Sequence, residues 1–444
     1  MKSFRLSTLS MFMIQAGILT TFALVPVWYR FRGFPSFSTF YGAGFLIFWT
    51  MLWTIGWWLI AGFPGLREAL LSKLRRIWIM FVVALMGWSW LSSVWGYTRI
   101  TYPSVTISSV LPFTVVILFS IVIICYRLRI VVIAGVMVMS VIWNSIVAGL
   151  QVAAQNEIGL QALGEFSVDP LKSGTVIVQA GDIRWLRPYG LLPHPNMLAG
   201  FLAVGLLIVI SWLLTSSGKR WLAGVVITLF GLWILLLTFS WAAWLGFAGG
   251  AALLAIVVIW RSNQDRRRLI RTAALGGATA VTLGAFVMLY QPFLAARAGI
   301  GDESVELRSV SDRSVYNQIA FEVIGQSPIL GIGLGNFPWY AANYLAKTDF
   351  DLKGQPVHNI FLAAWSELGI IGLAITSAAT GLGIWIAIRE IKQDSPGDAM
   401  LRVAVLGGVG ALMIIGLFDH YPWTQPQFQV AWWGLLATAG KRGE

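Results

Sequence analysis

Twelve apolar runs, each about as long as a bilayer is thick, constrain this chain more than any other feature. They fall near 9–29, 39–62, 77–96, 105–126, 130–153, 195–216, 220–238, 241–260, 272–292, 359–388, 401–418 and 427–440. About 20 residues of α-helix cross the hydrocarbon, where a chain must satisfy its own backbone polar groups, as a helix does. The stretch from 220 to 260 is too long for one crossing, and Thr238-Phe239-Ser240 is its only polar break. Composition agrees: of 444 residues, 57% are hydrophobic and 11% charged, against about 25% charged in soluble proteins. The first run follows Lys2 and Arg5 without a small-residue cleavage site, so it reads as a helix and not as a signal peptide.

A net charge of +12 would suit nucleic acid, but the basic residues cluster between the apolar runs. With the N-terminus inside, the cytoplasmic loops carry Lys73, Arg75 and Arg76, then Arg127 and Arg129, Lys219 and Arg220, Arg266-Arg267-Arg268, Arg389 and Lys392, and finally Lys441 and Arg442. The short loops on the other side carry only Arg30, Arg32 and Arg99. This is the positive-inside pattern, and it holds throughout only with twelve crossings and both termini cytoplasmic. Membrane lipid is an expected partner; nucleic acid is not. The single cysteine, Cys125, lies in an apolar run and excludes an internal disulfide or a cysteine metal cluster. The expectation is an all-α polytopic membrane protein, one domain over 1–444, with two long extracytoplasmic loops at 154–194 and 293–358.

The second loop contains SDRSVYNQIAFEVIGQSP. Val315, Ile319 and Val323 recur every four residues beside Tyr316, Ala320 and Ile324, with Arg313, Asn317 and Gln318 displaced from them. That pattern predicts an amphipathic helix on the outer surface or over the bundle, with Ser311 as N-cap and Gly325 and Pro328 closing it. The run GIGLGN at 331–336 follows a helix and a proline, not a strand. It reads as a tight turn bringing backbone close to a neighbouring helix, ahead of a phosphate cradle.

Only three histidines occur, His194, His358 and His420, and this topology puts all three at outer helix ends. Each is equally at home there as an interfacial side chain. No HExxH, paired cysteines or carboxylate cluster accompanies them, so neither metal nor cofactor is expected. Arg184 and Arg187 precede a span, and Arg313 lies on the amphipathic helix. Arginine matches phosphate oxygens with a fork of donors, though snorkelling to lipid headgroups is the commoner use of one arginine. Glu367 and Asp419 are the carboxylates nearest the membrane. Glu367 follows His358 by nine residues, on the opposite face of a straight helix, and reads as a structural hydrogen-bond partner unless the helix breaks at Gly369.

These motifs together resemble the O-antigen ligase and polymerase superfamily. The resemblance rests on Arg313, the run SPILGIGLGNF, the tyrosine-bearing PWYAANY, and VHNIFLAAWSELGIIGL, where His-Asn opens a span that continues to Glu-x-Gly. Upstream, RPYGLLPHPNMLAGFL is similar to that family's arginine, glycine and Pro-Asn segment. One departure is Trp241 in TFSWAAWLG, where the family often has arginine; its role would be absent or supplied by another residue. The resemblance implies inverting transfer of a glycan from a polyprenyl-diphosphate carrier to an acceptor hydroxyl, glycan or lipid-glycan, outside the inner (plasma) membrane and without a metal. It implies His358 as the catalytic residue, with Arg187, Arg313, Asn359, Asn196, Tyr340 and Arg184 binding substrate. His194 and His420 share the interface without the surrounding motif. A glycan polymerase and a protein oligosaccharyltransferase share these motifs. A transporter fits less well, because no internal repeat is evident and polar groups gather at one boundary.

Overall fold

The computed structural model describes residues 2–31, 44–126, 128–261, 266–300, 304–348 and 353–440. Arg32, Arg127, Lys441 and Arg442 lie outside them. The chain is a polytopic all-α membrane protein. Its helices are α1 (Lys2–Ala23), α2 (Leu46–Ile60), α3 (Leu66–Leu71), α4 (Lys73–Leu91), α5 (Pro103–Cys125), α6 (Ile130–Ala154), α7 (Pro195–Thr215), α8 (Lys219–Leu237), α9 (Trp241–Arg261) and α10 (Arg266–Arg297). There follow α11 (Ser304–Gln326), α12 (Phe337–Leu345), α13 (Ile360–Ile391) and α14 (Pro396–Gly416), and then the short pieces α15 (Tyr421–Thr424), α16 (Pro426–Gln429), a π-helical turn Val430–Gly434 and α17 (Leu435–Ala439).

Among the described residues nine helices are long and apolar enough to cross a membrane. The shorter apolar helices of α1 and α2 and the composite 426–439 account for the remaining predicted runs. The division at 238–240 falls as expected. Phe239 adopts a left-handed φ of 49°, which ends α8 before α9 begins. Among the described residues the chain adds a two-stranded antiparallel hairpin, β1 (Ile177–Ala180) with β2 (Ile183–Leu186), in the first long loop, and an isolated bridge between Arg30 and Phe45.

The centre of the bundle is α7, whose apolar residues are buried almost throughout. Small residues let its neighbours approach, as in membrane helix pairs generally. A Cβ on Gly246 of α9 would stand 2.9 Å from the carbonyl of Ala411 on α14, and one on Gly250 would meet Leu207 of α7 at 2.4 Å. The predicted amphipathic helix is α11, and it lies over the bundle against α13. Its expected apolar face is buried at Tyr316, Ile319, Ala320, Val323 and Ile324. Ser311 is not its N-cap: the helix begins at Ser304. The residues before Ser311 extend the helix because nothing among them breaks it.

The orientation expected from the basic loops has a direct test. Ser173 in the first long loop and Ser395 before α14 are both exposed, and the native cysteine is buried. A cysteine at Ser173 is expected to react with an impermeant thiol reagent in intact cells, and one at Ser395 to stay unlabelled. The reverse pattern would invert the topology.

Candidate functional site

The segment 187–196 is held by polar side chains that α6 carries inside the bundle. Gln151 accepts from the backbone N–H groups of Tyr189 (3.1 Å) and Gly190 (2.8 Å), and donates to the Gly190 carbonyl at 3.0 Å. Asn144 accepts from Leu191 N at 3.2 Å. Such groups are costly in hydrocarbon unless satisfied, and here they position that segment, while Gln151 also donates to Glu165 at 2.9 Å and Asn144 to the Ser140 carbonyl at 3.2 Å. Arg187, 3% exposed, follows from that placement. Its Nε donates to the Thr238 carbonyl at 2.6 Å and its Nη2 to Asn196 Oδ1 at 2.7 Å. Asn196 passes the connection on, donating from Nδ2 to Asp419 Oδ2 at 3.0 Å. His194 is the N-cap of α7, its Nδ1 accepting from Asn196 N at 3.0 Å.

The glycine run docks as a tight turn against a break in α13. Gly331, Gly333 and Gly335 all have positive φ. Ile332 N donates to Ser366 O at 2.9 Å and Gly333 N to Glu367 O at 2.8 Å, while Ile370 N donates back to Pro328 O at 2.9 Å. The helix can spare those carbonyls because Gly369, at φ 67° and ψ −177°, interrupts it. The break at Gly369 is the exception that the sequence analysis allowed for Glu367, which is buried there as a hydrogen-bond acceptor. Its Oε2 accepts from Trp423 Nε1 at 3.1 Å, and it also bonds to the backbone of Gly335 and Phe337. Asn336 completes the turn by accepting from Thr98 N at 2.9 Å. The turn therefore sets the height and direction of the segment that begins with His358.

Beside the start of α13, residues distant in sequence converge. The His358 and His420 ring centroids are 5.1 Å apart, and Tyr316 of α11 flanks His358 at 6.1 Å. His358, Asp419 and His420 each bring a ring nitrogen or carboxylate oxygen within 4.8 Å of the others. One expectation is corrected: His420, with the single carboxylate Asp419, is part of the His358 cluster and no detached interfacial residue. The reason is that α14 packs beside α13, and its following turn folds back over the His358 end. Asp419 and His420 have partners within the protein, whereas the buried His358 Nδ1 has none among the described residues. Asp419 accepts from His420 N (2.8 Å) and from Asn196, and His420 Nδ1 pairs with Thr424 Oγ1 at 2.8 Å.

Burial lowers the His358 pKa to about 4, against a partial upward pull from Asp419. Burial and then Arg187 lower His194 to about 3, and burial lowers His420 despite Asp419. Burial raises Asp419, but His420, His358, His194 and Arg313 outweigh it, and its pKa is lowered. The cluster at neutral pH thus holds neutral imidazoles around an ionised carboxylate.

Asp419 and Asn196 also line a cavity of about 150 Å³ with Ser240, Trp241, Phe418 and two arginines, Arg313 and Arg297. Arg297 escaped the sequence reading. It ends α10, and its Nε donates to the Phe239 carbonyl at 3.3 Å, beside Trp241. Its only sequence signal was a basic residue opening a long outer loop. Of the remaining expected residues, Arg184 and Tyr340 lie away from the cluster. Arg184 is on the exposed hairpin, donating to Pro170 O at 2.7 Å. Tyr340 donates to Gln326 Oε1 at 3.2 Å and packs on Tyr97. Asn359 abuts His358 as the N-cap of α13, accepting from Phe361 N and Leu362 N.

Beneath the cluster, a second cavity of about 150 Å³ opens within the membrane span. Ile360, Phe361, Pro422, Trp423, Trp432 and Trp433 are among its lining residues.

The stretch that carries the glycine turn, Arg297, Arg313 and His358 is also the part that is similar to a known family. Residues 223–377 match the O-antigen ligase family model. That is the family whose motifs the sequence resembles. The exopolysaccharide production protein ExoQ of Rhizobium meliloti (strain 1021) is 25% identical over 224 residues, 45% of this chain. The alignment spans half the length of that relative. Arg187, Asn196, Asp419 and His420 lie outside the O-antigen ligase match, so part of the cluster comes from flanking sequence.

Proposed function

We propose that the chain transfers a glycan from a polyprenyl-diphosphate carrier to an acceptor hydroxyl on the extracytoplasmic face of the inner membrane. The observation that carries this reading is the convergence of His358, Asp419 and His420 with a cleft lined by Arg297 and Arg313. In the proposed step the acceptor hydroxyl gives its proton to the His358 imidazole as its oxygen bonds to the anomeric carbon. The bond from that carbon to the diphosphate breaks, and the diphosphate leaves with the electron pair. Attack opposite the leaving group inverts the anomeric centre. Arg313 and Arg297 hold the departing charge, which grows in the transition state. Arg187 keeps the cleft in shape through Thr238 and Asn196, and ionised Asp419 stabilises the imidazolium. The apolar cavity beneath takes the first isoprenoid units. Arg297 takes the part that the family's arginine at position 241 would have. The relative's name, exopolysaccharide production, favours a growing polysaccharide as acceptor, which would make the reaction a polymerisation.

The test uses purified protein, a polyprenyl-diphosphate oligosaccharide and candidate acceptors, following release of polyprenyl diphosphate and formation of the new glycan. Each charge-assisted contact is worth about 1.5–3 kcal/mol, so Arg313→Ala and Arg297→Ala should each lower donor use roughly ten- to a hundredfold. Arg313→Lys should also impair it, since a point charge cannot reproduce bidentate contact. Normal transfer by Arg313→Ala at normal expression would remove the arginine from this role. Chelators are expected to leave transfer intact, because both Asp419 oxygens and His420 Nδ1 already have protein partners. Loss on chelation, with recovery on adding a divalent ion, would make the cluster a metal site.

A further inference from the structure

We propose that the opposite end of α13 from His358 carries a binding site for the phosphate headgroup of an anionic membrane lipid. The α4 and α13 helices cross closely where Gly383 meets Trp78; a Cβ there would lie 3.0 Å from the indole nitrogen. Towards the α13 C-terminus, a cavity of about 880 Å³ is lined by Ser72, Arg75, Trp385, Arg389, Glu390 and Lys392, among others. Three cations face it with one carboxylate, Glu390, which pairs with Arg75 at 3.5 Å. Two positive charges are left in excess.

Basic residues in the last turn of α13 would by themselves offset that helix's dipole. The cavity also receives the start of α4, where the dipole has the opposite sign. The first turn of α4 contains no acidic residue, and Ser72 makes no side-chain cap bond. A positive helix end and an excess of cations around one cavity together favour an anion there. The flanks say that the anion is an amphiphile. Trp385, Ile388, Arg389 and Lys392 recur at helical spacing, and Trp385 and Ile388 are 52% and 44% exposed beside the cations. The Arg389 guanidinium lies 5.6 Å from the Trp385 ring. That is the pairing of apolar surface and charge found where a membrane span meets lipid headgroups. The site is independent of the chemistry at the other end of the bundle.

Native mass spectrometry of the detergent-purified protein, supplied with phosphatidylglycerol or phosphatidylcholine, tests this. Wild type should retain phosphatidylglycerol in preference to phosphatidylcholine. Arg389→Gln and Lys392→Gln, both at exposed positions, should each weaken phosphatidylglycerol retention by about fivefold. The double variant should lose the preference. Arg389→Lys should largely keep it. Thermal unfolding in lipid-free detergent should be unchanged by these substitutions. Equal retention of the two lipids by wild type, or undiminished retention by the double variant, would overturn the proposal. Displacement of the lipid by an equal concentration of inorganic phosphate would assign the site to a soluble anion and overturn the lipid assignment.

Discussion

His358→Ala is expected to lower glycan transfer by about 10²–10⁴-fold, the usual contribution of general-base help, while donor binding through Arg297 and Arg313 persists. His420→Ala removes the ring 5.1 Å away and should cause a smaller loss. His194→Ala should act through the start of α7, which its side chain caps, and lower thermal stability by about 1 kcal/mol. A matched set of alanine variants, assayed for turnover and carrier binding at equal folding, separates these roles. Equal losses in all three, or full activity in His358→Ala, would reduce His358 to an interfacial side chain. The acid limb adds a second readout. Burial lowers the His358 pKa to about 4, so the neutral base persists well below the usual histidine range. The kcat/KM should hold as pH falls through 6.5 and drop only near about 4. A drop centred on the ordinary histidine value would mean that the titrating imidazole is solvated, at odds with this cluster.

Gly369→Ala is expected to be the most damaging single-methyl change in α13. At φ 67° and ψ −177° the residue occupies backbone space that is essentially restricted to glycine. A Cβ there would stand 1.9 Å from the Ile329 carbonyl oxygen and 2.3 Å from its carbon. Both are rigid backbone, so the glycine turn must separate from the helix. Strain of this kind costs about 1–3 kcal/mol, and the lost hydrogen bonds from Ile332, Gly333 and Ile370 add about 0.5–1.5 kcal/mol each. Thermal unfolding and transfer should therefore fall together. Gly410→Ala on α14 meets nothing within 4 Å and should be tolerated. If Gly369→Ala were as stable and active as Gly410→Ala, the turn would not set the site's geometry.

Much of this architecture was readable from residue order. The runs divided correctly even at 238–240, because crossing length is a local property of about 20 residues. The apolar face of α11 followed from four-residue spacing, and the tight-turn reading of GIGLGN from its proline and lack of a preceding strand. Ser311 misled because a serine with good capping chemistry caps only where the chain before it leaves the helix. His420 and Asp419 were undervalued because they lack a motif of their own. Arg297 was missed because a basic residue at a membrane boundary has many ordinary explanations.

By itself, then, the sequence determined the number of apolar segments, the loops between them, the amphipathic helix and the family motifs from Arg313 to Gly372. All of these are written in short-range patterns of hydropathy, charge and glycine. Only the tertiary structure decided that Arg187 reaches Asn196, that Asn196 reaches Asp419, and that Asp419 and His420 lie against His358, more than 60 residues earlier. Those meetings depend on which helices pack side by side and at what height. That is set by small-residue crossings such as Gly246 with Ala411 and by backbone docking at Gly333, where the choice of partner is a property of the assembled bundle and of no single segment.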